Sequence, residues 1–210
     1  MKNIVINVGQ ENKGLNVSIG YILAEEYGNN VKFIVENIFA EKEVKALYPA
    51  ANVVNFSSLN CDIEEDKVVD TALDIESSYN IKFSSIMAST RDFGRGYLVN
   101  IGNFPNIGRS NWDYKKKLSY VISETLKWVE ILHGQDIYMQ KWIGRIPSFV
   151  AKKYGVKTLS LVPVKYGDRF MWSDNSYNTS KAFIDAIKKN RSEVVNNKFF
   201  LEEENNFILE

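Results

Sequence analysis

The chain has 210 residues, of which 45% are hydrophobic and 25% charged, as is typical of a globular protein. Its formal net charge is zero, because 26 basic residues balance 26 acidic ones, and this argues against a dedicated nucleic-acid-binding domain. No segment approaches the ~18 apolar residues of a membrane span, and the apolar run after Met1 is too short for a signal peptide. The single cysteine, Cys61, excludes an intrachain disulfide and a multi-cysteine metal site. These features predict a cytoplasmic globular protein.

Apolar runs of two kinds alternate along the chain. Short β-branched runs predict six strands, at residues 3–9, 30–37, 51–57, 82–89, 136–142 and 156–164. Apolar residues at helical spacing predict helices at residues 14–28, 39–49, 62–79, 112–132, 146–155 and 178–190. Such alternation requires crossover connections, so it predicts an α/β domain over residues 1–190: a doubly wound, mostly parallel sheet of about six strands with helices on both faces. Residues 191–210 are interpreted as a C-terminal helix or as a linker towards a second domain.

Several catalytic mechanisms are disfavoured by the residue inventory. His133 is the only histidine, and it falls at the predicted end of a helix, so a Ser-His-Asp or Cys-His site is not expected. The chain has neither a G-x-S-x-G elbow nor an H-E-x-x-H motif. The acidic run at residues 64–66 is interpreted as solvated helix surface, so no metal ion is expected.

The candidate binding residues lie in the loops that follow the predicted strands, because open parallel sheets bind ligands at the carboxyl ends of their strands. Gly9, Gly14 and Asn16 surround the start of the first predicted helix, where free N–H groups suit an anion or a sugar hydroxyl. This loop lacks the G-x-G-x-x-G and G-K-[ST] patterns of nucleotide-binding proteins. A plain glycine turn that leads into a helix is therefore the alternative interpretation.

The longest irregular stretch, residues 89–112, has the sequence STRDFGRGYLVNIGNFPNIGRSNW. About 20 irregular residues in a compact domain are uncommon unless they are functional. Arg91, Arg95 and Arg109 offer forked donors to a phosphate or an acidic sugar. Asp92 is suited to act as a general base that deprotonates a hydroxyl nucleophile. An ion pair between Asp92 and one of the neighbouring arginines, which would only stabilise the loop, is the alternative.

Two later loops combine cations with aromatic rings. Lys141, Trp142 and Arg145 lie at the end of the fifth predicted strand, and Tyr166 and Arg169 follow the sixth. Aromatic faces beside charged groups are suited to sugars, because the ring packs against the aromatic face while the charged groups bind hydroxyls. The alternative is a loop packed on its own aromatic side chains.

Charge is unevenly distributed along the sequence. Residues 25–76 contain 12 acidic and 4 basic side chains, whereas residues 109–169 contain 12 basic and 5 acidic ones. This distribution is explained either by solvated helix faces or by an anionic ligand that faces the later half.

The order of these parts resembles the N-terminal, acceptor-side Rossmann-like domain of GT-B-type bacterial glycosyltransferases, which build capsular and other surface polysaccharides. The resemblance covers most of residues 1–190, and it rests on three segments in order: TRDFGRGY, then DIYMQKW with IPSFVAKKYGV, then LSLVPVKYGDRFMWSDN. It implies two facing Rossmann-like domains, the N-terminal one for the acceptor and the C-terminal one for the nucleotide-sugar. By position it implies Asp92 as the catalytic base, with Arg91 and Arg95 steering an anionic acceptor or the donor phosphate. The residues that it places along the cleft are Lys141, Trp142, Tyr166 and Arg169.

The resemblance also implies the partners. These are a carbohydrate acceptor and a nucleotide-sugar donor, with no metal or other cofactor and no nucleic acid. A lipid-linked acceptor would bring the protein to the inner face of the membrane. The 210 residues hold no second half of similar size, so the resemblance predicts a C-terminal domain beyond them. Two alternatives are a stand-alone sugar- or nucleotide-binding module without catalysis, and a different Rossmann-like transferase or sugar-modifying enzyme complete in this length.

Overall fold

A computed structural model of the protein describes residues 1–9, 13–89, 93, 112–141, 144–163, 170–174 and 185. Within these residues the chain forms six strands, six α-helices and a short 3-10 helix at Phe56–Ser58. The strands are β1 (Asn3–Asn7), β2 (Asn30–Val35), β3 (Asn52–Asn55), β4 (Ile137–Gln140), β5 (Lys157–Pro163) and β6 (Phe170–Ser173). The helices are α1 (Lys13–Glu25), α2 (Ile38–Leu47), α3 (Val68–Tyr79), α4 (Phe83–Ser89), α5 (Tyr114–Leu132) and α6 (Arg145–Tyr154).

The six strands form one sheet in the order β3-β2-β1-β4-β5-β6. β1 pairs in parallel with β2 and with β4, and β2 pairs in parallel with β3. β5 and β6 pair antiparallel, with Pro163 opposite Phe170. The expected α/β class with a mostly parallel sheet is therefore confirmed. Because β2 and β3 lie on one side of β1 and β4 on the other, the strand order reverses between β1 and β4.

The contacts divide the chain into two compact units, residues 1–159 and 160–210. The first unit contains β1 to β4 with all six α-helices, and β5 begins within it. The described part of the second unit contains the antiparallel pairing between the end of β5 and β6.

The core of the first unit is built on β1, whose side chains alternate between two apolar clusters. Ile6 packs in one cluster with Val17 of α1, and the rest of that cluster comes mainly from β2 and α2. Val5 packs in the other cluster with Leu132 of α5 and Val150 of α6. Alternation along a strand sends neighbouring side chains to opposite faces. Helices α1 and α2 therefore contribute to one cluster, and helices α5 and α6 contribute to the other.

A third apolar cluster joins α3, α4 and the first half of α5. Its most buried members include Val68, Phe83 and Ile122. Phe93, which belongs to the long irregular stretch of the sequence, is only 6% exposed within this cluster. Its ring meets that of Tyr120 edge-on, with the centroids 6.0 Å apart.

Residues 82–89 were predicted as a strand, and this prediction is wrong, because the segment forms α4. Phe83, Ile86 and Met87 are buried together, a spacing of three and four residues that fits one helix face. The Glu76 carboxylate accepts a hydrogen bond of 2.6 Å from the backbone N–H of Phe83 and thereby satisfies one free donor at the start of the helix.

The sixth strand of the sheet is β6 instead, in a segment that the sequence predicted as a loop. The other predicted elements that fall on described residues are confirmed, although their ends shift. The acidic helix predicted from residue 62, for example, begins only at Val68. α5 ends at Leu132, as expected, and is followed by its cap residue His133 and by Gly134, whose φ is 73°. The helix predicted at 178–190, apart from Asp185, and residues 191–210 lie outside the described residues. None of the described helices has the length and apolar character needed to cross a bilayer.

Candidate functional site

A pocket of about 210 Å³ lies at the carboxyl ends of β1 and β2. Open α/β sheets bind their ligands at the carboxyl ends of their strands, next to the point where the strand order reverses, and the pocket lies in such a place. Its walls come from the ends of β1 and β2, the start of α2, the segment after β3, and the middle of α5. The lining residues are Asn7, Val8, Gly9, Ile34, Val35, Glu36, Ala40, Phe56, Glu124 and Trp128.

A polar network beneath the pocket holds the end of β1. The amide of Asn16, which is 5% exposed, donates a hydrogen bond of 3.2 Å to the carbonyl oxygen of Asn7. The fully buried Tyr138 of β4 donates its hydroxyl proton to Oε1 of Gln140. Burial raises the pKa of the Tyr138 phenol, and a hydrogen bond with the Asn7 side chain opposes that rise without cancelling it. The buried Tyr138 hydroxyl thus lies beneath the end of β1, next to Gln140 and the Asn7 side chain.

The backbone on either side of Glu36 is also fixed. The carbonyl of Glu36 accepts a hydrogen bond from the hydroxyl of Ser57. Asn37 caps α2, and its side-chain oxygen accepts hydrogen bonds from the N–H groups of Phe39 and Ala40 at 3.0 and 3.1 Å. The exposed Glu36 side chain thus stands at the rim of the pocket on a rigid backbone.

The chemical character of the pocket is apolar and acidic. The Trp128 ring lies 5.2 Å from that of Phe56 and 5.3 Å from that of Tyr138, measured between centroids. Glu36 and Glu124 contribute carboxylates, and the residues described as lining the pocket include no Lys, Arg or His. In the described part of the chain, no three His, Cys, Asp or Glu side chains are grouped to hold a metal ion. This lining suits an uncharged ligand with hydroxyl donors better than it suits a phosphate.

The three predicted binding residues near the start of α1 have different positions. Gly9 lines the pocket. Asn16 is buried, and its side chain donates a hydrogen bond to the carbonyl oxygen of Asn7 in β1. Gly14 is exposed on α1 and borders a separate apolar groove of about 450 Å³, together with Tyr21 and Leu47. Only Gly9 is therefore at the pocket.

The other described candidates stand outside the pocket lining. Lys141 directly follows β4. Arg145 begins α6, and its Nη1 donates to the carbonyl oxygen of Ser85 at 3.4 Å, which links α6 to α4. The remaining predicted site residues lie outside the described residues; they are Asp92, Arg91, Arg95, Arg109, Trp142, Tyr166 and Arg169.

The sequence reasoning missed most of the residues that line this pocket. Glu36 was not selected as a candidate because the second strand was predicted to run to residue 37, whereas β2 ends at Val35. With the strand ended correctly, the rule that ligands bind after strands would have selected Glu36. Glu124 and Trp128 lie one turn apart on α5, and no local pattern separates them from other residues of that helix.

We compared the chain with protein-family models, with curated proteins and with solved structures. None of these comparisons finds a match. They identify neither a glycosyltransferase family nor another one, so a functional assignment depends on the pocket and on the sequence patterns.

Proposed function

We propose that the chain is the acceptor-side domain of a GT-B-type glycosyltransferase that acts in bacterial surface polysaccharide synthesis. In this proposal the sheet belongs to a doubly wound, Rossmann-like domain. The observation that carries the proposal is the pocket at the carboxyl ends of β1 and β2, beside the reversal of strand order. Its combination of an amide, carboxylates and aromatic rings supports a sugar as the ligand, since hydroxyls donate to carboxylates while the ring contacts apolar surface.

Each part of the proposed reaction has an assigned place. The acceptor binds in the pocket, next to Gly9 and Glu36. Asp92 serves as the base, and Arg91 and Arg95 bind the anionic part of the donor or acceptor. The nucleotide-sugar binds mainly to a second domain, and no metal ion takes part. A lipid-linked acceptor brings the enzyme to the inner face of the membrane.

A binding experiment tests the sugar-binding part of the proposal. UDP-glucose and methyl glucoside are titrated into the ¹⁵N-labelled chain, and the amide shifts of Val8 and Gly9 report occupation of the pocket. The proposal expects saturable shifts of these two amides with at least one of the two compounds. If neither compound shifts them, the pocket is not a sugar site and the proposal is wrong.

A turnover experiment tests the catalytic part. The native gene product, purified from its source cells, is supplied with nucleotide-sugars and surface glycan, and release of nucleoside diphosphate is measured. Asp92→Asn is expected to abolish release while acceptor binding persists, because an amide cannot take up the proton of the attacking hydroxyl. Unchanged turnover in this variant would show that Asp92 is not the base.

A second candidate function is a sugar-binding module without catalysis. It is favoured by the location of the pocket, all of whose lining residues belong to the first compact unit. Saturable binding without release of nucleoside diphosphate by the native protein would support this function over the transferase.

A further inference from the structure

We infer that the pocket binds a vicinal diol of a sugar ring, with the Glu36 carboxylate as the specificity-determining acceptor. This inference rests on the proposed function in one respect, since both require a sugar-bearing ligand beside Gly9. It goes further in naming the chemical group that is recognised and the side chain that recognises it.

The position of Glu36 is the first support. It directly follows β2, and β2 pairs with β1, whose carboxyl end carries Gly9. Both residues line the same pocket, and a Cβ built on Gly9 would meet no atom within 4 Å, so open space lies beside its backbone. In dinucleotide-binding sheets with strand order 3-2-1-4-5-6, a carboxylate beyond the first helix accepts hydrogen bonds from a ribose hydroxyl. Glu36 occupies a comparable place here.

The chemistry of the lining is the second support. An ionised carboxylate offers two acceptor oxygens and no donor, so it can bind two neighbouring hydroxyls at once. Hydrogen bonds from hydroxyls to a carboxylate are shorter and stronger than those between neutral groups. Phe56 and Trp128 give the pocket an apolar wall for the ring carbons. The described lining residues include no Lys, Arg or His, and Lys127 Nζ instead lies over the Phe56 ring, 5.2 Å from its centroid. The negative charge of Glu36 itself disfavours a phosphate directly beside it.

Two kinds of molecule present this diol. One is the pyranose ring of an acceptor glycan, and the other is the ribose of a nucleotide. A matched series of ligands distinguishes them, because the loss of one hydroxyl removes the diol from either ring. Uridine is paired with 2′-deoxyuridine, and methyl glucopyranoside with methyl 3-deoxyglucopyranoside, which keeps no two hydroxyls on adjacent carbons.

The experiment measures dissociation constants from the amide shifts of Val8 and Gly9 in the full, ¹⁵N-labelled chain. In the pair that binds, the deoxy compound is expected to bind about tenfold more weakly, since it leaves the carboxylate incompletely paired. Glu36→Gln is expected to weaken binding of the diol-containing compound to a similar degree. Glu26→Gln is the matched control, because it removes the same charge from an exposed residue outside the pocket. Glu36 is itself exposed, so its variant should keep the parent spectrum in the absence of ligand.

The outcomes separate this inference from the proposed function. Preference for uridine identifies ribose as the source of the diol, and preference for the glucoside identifies a glycan. Equal binding of a compound and its deoxy partner, with Glu36→Gln unchanged, overturns the inference while a sugar-binding pocket stands. If none of the four compounds shifts the amide signals of Val8 and Gly9, the inference is overturned. If UDP-glucose does not shift them either, the proposed function is overturned as well.

Discussion

Gly20 allows α1 to pack closely against β2. A Cβ at this position would overlap the ring of Phe33 and would lie 3.1 Å from Cδ1 of Ile6. Phe33 is fully buried and meets Tyr48 edge-on, so its ring has little room to move. We therefore expect Gly20→Ala to lower the free energy of unfolding by about 1–3 kcal/mol, as overpacking of a dense core does.

Urea denaturation of the parent and the variant measures this difference. Gly14→Ala is the control on the same helix, because a Cβ there would meet no atom within 4 Å. Alanine is the better helix former by up to about 1 kcal/mol, so this control should equal or exceed the parent in stability. A Gly20→Ala protein as stable as the parent would show that Phe33 can move aside.

Asn16 is a buried polar residue of α1. Its amide donates to the carbonyl of Asn7 at the end of β1. Asn16→Ala should lower the free energy of unfolding by about 1–3 kcal/mol, because a buried hydrogen bond is lost and the space is left empty. Thermal and urea denaturation would measure this loss, and Ser18→Ala, at an exposed position of the same helix, should leave stability nearly unchanged. Equal stabilities of the two variants would contradict the structural role of Asn16.

At the scale of single elements, short apolar segments limited what the sequence could predict. Residues 82–89 contain both a β-branched residue and apolar residues at helical spacing, and such a short run is ambiguous between strand and helix. The helix is favoured by Glu76, a residue of the preceding helix that satisfies the N–H of Phe83. β6 was not predicted, because its sequence is typical of an aromatic loop. It forms a strand through its antiparallel pairing with β5, which is a contact that the local sequence does not indicate.

The junction between α3 and α4 gives a prediction about acid stability. Burial would raise the pKa of Glu76, but hydrogen bonds from Lys82 Nζ and from the N–H of Phe83 outweigh it and hold the pKa below its ordinary value of 4.5. A depressed pKa in the folded state contributes stability above the unfolded pKa, and this contribution is lost as the pH falls through the folded pKa. We expect the parent to lose more thermal stability than Glu76→Gln between about pH 6 and about pH 3.

Melting temperatures across this pH range measure the difference between parent and variant. Glu65→Gln is the control, since the Glu65 side chain is 85% exposed and its ion pair with Lys115 contributes little to stability. Its pH dependence should follow that of the parent. An unchanged pH dependence in Glu76→Gln would show that the hydrogen bonds at the start of α4 do not depend on the charge of Glu76.

At the scale of the whole molecule, the fold class could be predicted but the order of the strands could not. Alternating strand and helix patterns are sufficient to predict a mostly parallel sheet. Each crossover helix returns the chain to the end of the sheet at which the previous strand began, so successive strands run in the same direction. The strand order depends on contacts between segments that are distant in sequence. Val5 of β1 packs with residues of α5 and α6, whereas Ile6 packs with residues of α1 and α2. The pocket depends on the same contacts, since it combines the ends of β1 and β2 with Glu124 and Trp128 of α5.

The strand order predicts how protection from hydrogen exchange varies across the sheet. β1 is hydrogen-bonded on both sides and its central residues are at most 2% exposed, whereas β3 stands at one edge and has no fully buried residue. Opening a central strand requires disruption of both neighbours and of both apolar clusters, while an edge strand can open locally. We therefore expect the amides of β1 and β2 to exchange most slowly and those of β3 clearly faster, as measured by hydrogen–deuterium exchange with mass spectrometry on the full chain. Equal protection of β3 and β1 would mean that β3 is covered by another segment and that the sheet opens only as a whole.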